Sequence, residues 1–329
     1  HTHDRTTTRW EWPTWHAGAV SSHPFPSTSL ERRDGRVVGP ERRPKQMLAD
    51  QEYDGHTSVH DDATADKLGL TGAPIEGPTH FSQFDPIGFD RWGDRWFAEG
   101  CISAHFQTMV IEGESVIASA EHGDGDSTRI DAAKGDGTPV LTGTISVGGV
   151  TTELAERLAK AQSRDTGELF IVDQVTIGAL PADDRRVSVG ADSANGNLYP
   201  FSLAQKLAAI TEPSDWYSSD DNPWGRPILP FEMYSVLAHK IGASLPVRGP
   251  AVGLFLDLEV RALGRPLFVG EEYVLERAVV AVGQSRKVES HWVDTTVRHA
   301  GSGEPAAKVL LHSGVFKASY ADYPTDRLA

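Results

Sequence analysis

A segment in the first third of the chain concentrates side chains that can move protons. It reads Asp54-Gly-His56-Thr-Ser-Val-His60, so one carboxylate and two imidazoles lie close together in sequence. Carboxylates and imidazoles act as general acids and bases near neutral pH. The residue types of this segment are therefore suited to acid–base chemistry. The alternative is that His60 has a structural role, on the surface or as a capping residue beside Asp61 and Asp62.

Other reactive residue types do not form a recognisable site. Cys101 is the one cysteine, so no disulfide can form within the chain, and a reducing, cytoplasmic location is expected. We predict a buried structural thiol there; the alternative is a nucleophile with His105, four residues on, as its base. The sequence contains no Cys-x-x-Cys, His-Glu-x-x-His, phosphate-loop or Gly-x-Ser-x-Gly motif. We therefore expect no metal site and no cofactor.

The charge balance and the distribution of apolar residues argue against two classes of partner. Of 329 residues, 31 are Lys or Arg and 46 are Asp or Glu, which gives a formal net charge of -15. A chain this acidic repels nucleic acid and anionic lipid. No apolar run reaches the length of about 18 residues that a membrane-spanning helix needs. We expect neither a nucleic-acid partner nor a membrane partner.

The candidate residues precede elements that can hold them in place. Residues 61–70 predict a short helix with Asp61 or Asp62 as its N-cap. A turn rich in glycine and proline follows, and a buried helix is predicted over 78–85. Pro86 should interrupt that helix, because proline lacks the backbone N–H that a helix interior uses. We expect an irregular aromatic cover after it.

Alternating apolar residues and Gly- or Pro-bearing turns predict a chain rich in strands. The stretch 101–121 predicts two strands, and the Gly- and Asp-rich stretch 122–138 predicts a hairpin loop. The apolar, β-branched stretch from Leu169 to Val175 predicts a strand at which the pattern starts again. Further predicted elements are a strand over 140–147, helices over 151–163 and 231–243, and strands over 253–263, 273–282, 286–297 and 307–317.

An internal repeat organises these elements. The matching segments are Gly72-x-Pro74-Ile75 with Gly225-x-Pro227-Ile228, Val110-x-x-Gly113-Glu114 with Leu267-x-x-Gly270-Glu271, and Val140-Leu141 with Val309-Leu310. The three anchors keep the same order and the same local context in both halves. The chain is therefore predicted to contain two copies of one structural unit.

The first copy resembles a known family. The segment from Val59 through His60 to Ala65, followed by the Gly-x-Pro-Ile turn, a buried helix and antiparallel strands, resembles the MaoC-like hot-dog proteins. These include (R)-specific enoyl-thioester hydratases and 3-hydroxyacyl-thioester dehydratases. The resemblance implies an α+β fold, a double hot-dog in which each of two tandem units wraps an antiparallel sheet round a central helix. The predicted parts are an N-terminal arm over 1–35, a first hot-dog unit over 36–150, a helical linker over 151–167 and a second hot-dog unit over 168–329.

The resemblance also implies chemistry at the joint between the units. In the family, an Asp and a His five residues apart hold one water, and a backbone N–H at the start of the central helix serves the thioester carbonyl. His60 stands at the His position, while Gly55 lies five residues before it and Asp54 six. The resemblance therefore implies Asp54 and His60 as catalytic residues, with His56 as an alternative partner of His60. The substrate-binding residues predicted on this basis are Gly77, Thr79 and His80 at the start of the helix, and Tyr199 and Asn197 in the equivalent stretch of the second half.

The resulting hypothesis is a hydro-lyase. It would reversibly hydrate an enoyl thioester, or dehydrate a 3-hydroxyacyl thioester, bound to CoA or to an acyl carrier protein. Two alternatives stay open: a catalytically silent acyl-thioester-binding protein, and a hot-dog thioesterase in which Asp61, Asp62 or Glu76 acts at the thioester carbonyl. A homodimer of double hot dogs is compatible with each of these hypotheses.

Overall fold

The strands of the protein form one antiparallel sheet. A computed structural model describes residues 23–52, 55–181, 185–241 and 245–328. Within these ranges the sheet has 12 strands. Most of the predicted N-terminal arm, residues 1–22, lies outside the described residues, and so does Asp54.

The two halves of the sheet have the same strand order. In chain order the strands are β1 (Glu31–Arg33), β2 (Arg36–Val38), β3 (Cys101–Phe106), β4 (Val116–Glu121), β5 (Ser127–Lys134), β6 (Pro139–Ser146), β7 (Gly178–Ala179), β8 (Arg186–Val187), β9 (Gly253–Ala262), β10 (Tyr273–Gln284), β11 (Val288–His299) and β12 (Pro305–Phe316). Their spatial order is β1-β2-β4-β5-β6-β3-β9-β12-β11-β10-β7, with β8 also paired to β10. Read towards the centre, β4-β5-β6-β3 of the first half therefore corresponds to β10-β11-β12-β9 of the second.

The halves join where β3 pairs with β9. The pairing is antiparallel, with Ile102 opposite Val260 and Ala104 opposite Leu258. These four side chains are 0–2% exposed. Joining the two edges removes two rows of unpaired backbone groups from solvent, as the double hot-dog prediction requires.

Short helices cover the two faces of the sheet. They are α1 (Asp62–Lys67), α2 (Asp85–Trp92), α3 (Arg95–Glu99), α4 (Glu153–Ser163), α5 (Leu203–Ala209) and α6 (Glu232–His239). Asp61 caps α1, because its Oδ2 accepts a hydrogen bond of 2.8 Å from the Thr64 backbone N–H. The predicted cap is confirmed.

The central helix of the first half does not stop at Pro86. A 3-10 helix, Gly77–Phe84, continues directly into α2. Pro86 lies in the first turn of α2, where a backbone N–H is not needed for the helix. The predicted irregular cover is therefore wrong: the helix runs to Trp92, and its buried part ends at Gly88.

The predicted loop 122–138 is also wrong in its centre. It contains β5, in which Thr128, Ile130 and Ala132 are buried. The glycines and aspartates that suggested a loop lie mostly at the two ends of this strand. Composition averaged over the stretch concealed the period-two pattern inside it.

The apolar stretch from Leu169 to Val175 is not a strand. Instead, the Glu289 carboxylate accepts hydrogen bonds from the backbone N–H groups of Phe170, Ile171 and Val172 at 2.7–3.1 Å. Ile171 and Val172 are buried. A buried carboxylate from β11 therefore takes the place of a neighbouring strand, which no local pattern could indicate.

The internal repeat is visible in the backbone hydrogen bonds. The Ile75 N–H donates to the Val110 carbonyl at 2.7 Å, and the Leu229 N–H donates to the Leu267 carbonyl at 2.8 Å. Ile75 therefore corresponds to Leu229, one residue later than the sequence match with Ile228. The boundaries of the arm, units and linker remain predictions.

A buried carboxylate fastens α4 to the junction of the halves. Asp257 on β9 is 3% exposed. Its carboxylate accepts hydrogen bonds from Arg157 of α4 (2.9 Å), from His105 Nδ1 of β3 (2.7 Å) and from His312 Nδ1 of β12 (2.7 Å). Burial opposes ionisation, but the bonds from His105 and His312 lower the pKa of Asp257 to about 2. One side chain thus connects three strands and a helix.

We expect Asp257→Asn to lower the free energy of unfolding at pH 7 by about 2–3 kcal/mol, because a folded pKa of about 2 lies well below the unfolded value of about 3.9. Since the folded pKa is the lower one, this contribution is complete above about pH 4 and is lost as the pH falls towards 2. Urea denaturation at pH 7 and pH 3 measures the difference, with the exposed Asp124→Asn as control. An equal deficit at both pH values would contradict the assignment.

Candidate active site

A cavity of about 610 Å³ lies between the two halves of the protein. The lining segments from the first half are 56–60, 74–77 and 106–110, and those from the second half are 195–199, 253–256 and 313–315. Of the predicted site residues, His60, His56, Gly77, His80, Tyr199 and Asn197 border this space. The fold therefore brings together residues from both copies of the repeat.

His60 is held by one ring nitrogen and offers the other. Its Nδ1 lies 2.7 Å from the Pro74 carbonyl oxygen, so Nδ1 carries the proton and donates it. The His60 backbone N–H donates to Ser58 Oγ at 3.1 Å. Burial lowers the pKa of His60, and the bond to Pro74 opposes this shift. The ring is therefore neutral at pH 7, and Nε2 can accept a proton.

His80 has the opposite tautomer. The Gln83 side-chain amide donates to His80 Nδ1 at 3.3 Å, which leaves the proton on Nε2. Burial, and next the positive charge of Lys206, lower the pKa of His80 to about 4. One neutral imidazole in the cavity is thus a proton acceptor and the other is a hydrogen-bond donor.

Glu76 is a buried acidic residue that borders the same cavity. It is one of the lining residues and is 7% exposed. Burial, assisted by the nearby Glu232, raises the pKa of Glu76 to about 7, although Lys206 and a hydrogen bond with Tyr199 act in the opposite direction. Its Oε1 has no hydrogen-bond partner among the described residues. A carboxyl that is half ionised near neutral pH can give or take a proton.

Thr79 makes two contacts within the protein. Its backbone N–H donates to the Glu76 carbonyl at 3.1 Å, and its Oγ1 accepts a hydrogen bond of 3.1 Å from Lys206 Nζ. The first turn of the 3-10 helix therefore uses the Thr79 amide, and substrate binding by Thr79 stays a prediction. Pro78 has no N–H, so Gly77 is the remaining amide at the start of the helix.

Asn197 and His56 line the cavity and also make contacts between the two halves of the protein. The Asn197 side chain donates to Glu52 Oε2 at 3.1 Å, and its carbonyl accepts from the Glu52 N–H at 3.0 Å. The ring of His56 packs so closely on Gly249 that a Cβ there would lie 2.7 Å from it. These contacts hold the two copies of the loop against each other.

Sequence reasoning missed the buried ion pair behind the cavity. Lys206 Nζ lies 3.5 Å from Glu232 Oε2, and both side chains are at most 4% exposed. Lys206 belongs to α5, which begins with a capping box formed by Ser202 and Gln205. A lysine in a short capped helix and a glutamate in the first turn of a helix are both typical of exposed positions. Only the tertiary structure buries them, beside the 3-10 helix Gly77–Phe84, where Lys206 Nζ binds Thr79 Oγ1.

Cys101 is a structural thiol. It is 0% exposed, and burial raises its pKa well above the ordinary value, while His105 is bonded to Asp257. The alternative of a nucleophile with His105 as base is therefore wrong. Within the described ranges, no group of three or more His, Cys, Asp or Glu side chains is placed to hold a metal ion. None of the helices described there is long and apolar enough to span a membrane.

Gly77 can be tested by adding one methyl group. A Cβ at this position would lie 2.7 Å from the Phe106 ring, so Gly77→Ala must displace Phe106 from the cavity wall. We expect a loss of about 1–3 kcal/mol in the free energy of unfolding. Gly123→Ala is the control, because nothing lies within 4 Å of its Cβ. Thermal denaturation compares the two, and equal stability would contradict the close approach.

Comparison with known proteins identifies the architecture. No protein-family model and no curated protein matches the sequence. A solved structure described as a MaoC-domain dehydratase from Chloroflexus aurantiacus J-10-fl is 13% identical, with a TM-score of 0.52 over 91% of this chain and 99% of its own. A conserved protein from Mycobacterium tuberculosis, described as having a double hot-dog fold, is 12% identical, with a TM-score of 0.53 over 84% of this chain and 94% of its own. The predicted fold class is confirmed: the chain is a double hot-dog protein, similar in architecture to a MaoC-domain dehydratase.

Proposed function

We propose that the protein catalyses the reversible hydration of an enoyl thioester, with His60 as the general base. The observation that carries this proposal is the orientation of His60 in the cavity. Its Nδ1 is bonded to the Pro74 carbonyl, so the neutral ring of this cavity-lining residue keeps Nε2 unprotonated. The similarity in fold to a MaoC-domain dehydratase supports the choice of substrate class.

The proposed reaction uses two groups at opposite ends of the conjugated system. His60 Nε2 takes a proton from water as the water oxygen bonds to C3 of the substrate. The double bond shifts towards the thioester, and negative charge develops on the carbonyl oxygen. The Gly77 N–H, at the positive end of the helix, stabilises this charge. The enolate then takes up a proton at C2, so that one water is added overall.

The second half supplies the opposite wall of the site. Neither Tyr199 nor Asn197 can replace His60 as a base, because a neutral tyrosine has an unperturbed pKa of about 10 and an amide does not titrate. Asp54, which lies outside the described residues, remains the predicted partner of His60 for holding water. We propose one catalytic half and one accommodating half.

A thioesterase is the second candidate, and Glu76 favours it. A buried carboxyl in the cavity is a suitable base or nucleophile for attack on a thioester carbonyl. That reaction releases a free thiol, whereas hydration does not. The two candidates therefore differ in a product that is easily measured.

The test is incubation with crotonyl-, octenoyl- and aromatic enoyl-CoA, following enoyl absorbance and free thiol together. We expect absorbance to fall without thiol release. His60→Gln should lower kcat/KM by about 10²–10⁴-fold, the usual contribution of a general base. The exposed His122→Gln is the matched control and should behave like the wild type.

Other outcomes point elsewhere. Thiol release would replace the hydratase with the thioesterase. No reaction with any thioester, combined with a ligand-induced rise in Tm, would indicate a binding protein. Full hydratase activity in His60→Gln would remove His60 from the mechanism.

The pH dependence of hydration tests the state of His60 separately. The base must be neutral, and burial lowers the pKa of His60 from 6.5. We expect kcat/KM to fall on the acidic side only below pH 6.5, because protonation of His60 in the free enzyme removes the base. An acidic limb centred above 6.5 would show that His60 is stabilised as a cation, contrary to this environment.

A further inference from the structure

The first-half site contains a carboxyl group that the proposed general base leaves unused. Glu76 immediately precedes the 3-10 helix Gly77–Phe84 and lines the same cavity as His60. Its side chain is attached next to Gly77, the residue proposed to hold the substrate carbonyl. The substrate carbon adjacent to that carbonyl is C2, where hydration requires a proton donor.

Glu76 is buried, and its carboxyl group is only partly used in hydrogen bonds within the protein. The residue is 7% exposed, and its Oε1 has no hydrogen-bond partner among the described residues. A buried carboxyl oxygen without a partner disfavours the ionised form, which keeps a proton on Glu76 available for transfer.

The second half holds Glu76 in place. A hydrogen bond joins it to Tyr199, and Lys206, whose Nζ binds Thr79 Oγ1 at 3.1 Å and lies 3.5 Å from Glu232, supplies a nearby positive charge. Glu232 adds a negative charge on the other side. These opposing influences belong to residues of the second half, which has no histidine of its own in the loop 195–201.

We infer that Glu76 is the acid that delivers the proton to C2 during hydration and the base that removes it during dehydration, an inference that rests on the proposed function. In hydration the Glu76 O–H bond breaks as the C2–H bond forms, and the enolate electron pair becomes that bond. His60 meanwhile holds the proton taken from water. Return of a proton from His60 to Glu76 through solvent restores the enzyme.

The acid role has a signature in the pH profile. Hydration needs Glu76 protonated, so kcat/KM should fall as the pH rises through about 7, the pKa to which burial raises this carboxyl. In Tyr199→Phe the hydrogen bond that lowers this pKa is lost, and the alkaline limb should move to higher pH. An alkaline limb that stays in place in Tyr199→Phe would count against Glu76 as its origin.

The deciding experiment follows hydrogen exchange at C2. Butyryl-CoA has no double bond and no C3 hydroxyl, so it can be neither hydrated nor dehydrated. In D₂O, Glu76 can remove a C2 proton and return a deuteron, and mass spectrometry of the recovered thioester counts the incorporated deuterium. We expect exchange in the wild type and in His60→Gln, and a loss of about 10²–10⁴-fold in Glu76→Gln. Glu76→Asp should restore part of it, and the exposed Glu121→Gln should match the wild type.

The outcomes separate this inference from the proposed function. Exchange that persists in Glu76→Gln, with its Tm unchanged, overturns the inference even if the enzyme hydrates crotonyl-CoA. Absence of exchange in the wild type overturns it as well. Exchange that depends on Glu76, in a protein that hydrates none of the enoyl thioesters, supports Glu76 as a C2 acid–base group and refutes the hydratase proposal.

Discussion

The antiparallel pairing of β3 with β9 is the constraint on which the rest of the structure depends. Each half alone would leave a sheet edge unpaired and an apolar face uncovered, and both defects are removed when the two edges meet. The same pairing brings His105 of the first half to Asp257 of the second. It also sets the loop that carries His60 against the loop that carries Tyr199, so that the cavity exists only because the halves are joined.

The polar groups around this cavity illustrate how a protein keeps ionisable side chains in its interior. Lys206 and Glu232 form a buried pair, and each would be strongly disfavoured without the other. Glu76 and His80 lie near this pair. Burial raises the pKa of Glu76 and lowers that of His80, so that both side chains favour their neutral forms. The second half has no catalytic histidine in its own loop, but it supplies the charges and the tyrosine that surround the groups of the first. The two copies of the repeat therefore contribute different ionisable groups to the surroundings of the cavity.

Several elements followed directly from local sequence. The α1 helix forms where an aspartate can cap it, and the two copies of the repeat form equivalent backbone hydrogen bonds at Ile75 and Leu229. The predicted strand from Leu169 to Val175 failed because a distant residue decides the structure of that segment. Glu289, 118 residues from Ile171, binds the amides that would otherwise pair in a strand. This partner cannot be identified from the segment it affects.

The sequence by itself determined the tandem repeat, because the order of its anchors is fixed along the covalent chain. Through its resemblance to a known family it also indicated the class of fold and the candidates His60, His56, Gly77 and His80. The tertiary structure alone decided which nitrogen of His60 is available, and it alone placed Glu76, Tyr199 and Lys206 together. The free energy of a buried charge depends on every group packed round it, and in this protein those groups come from the other copy of the repeat, more than a hundred residues away in sequence.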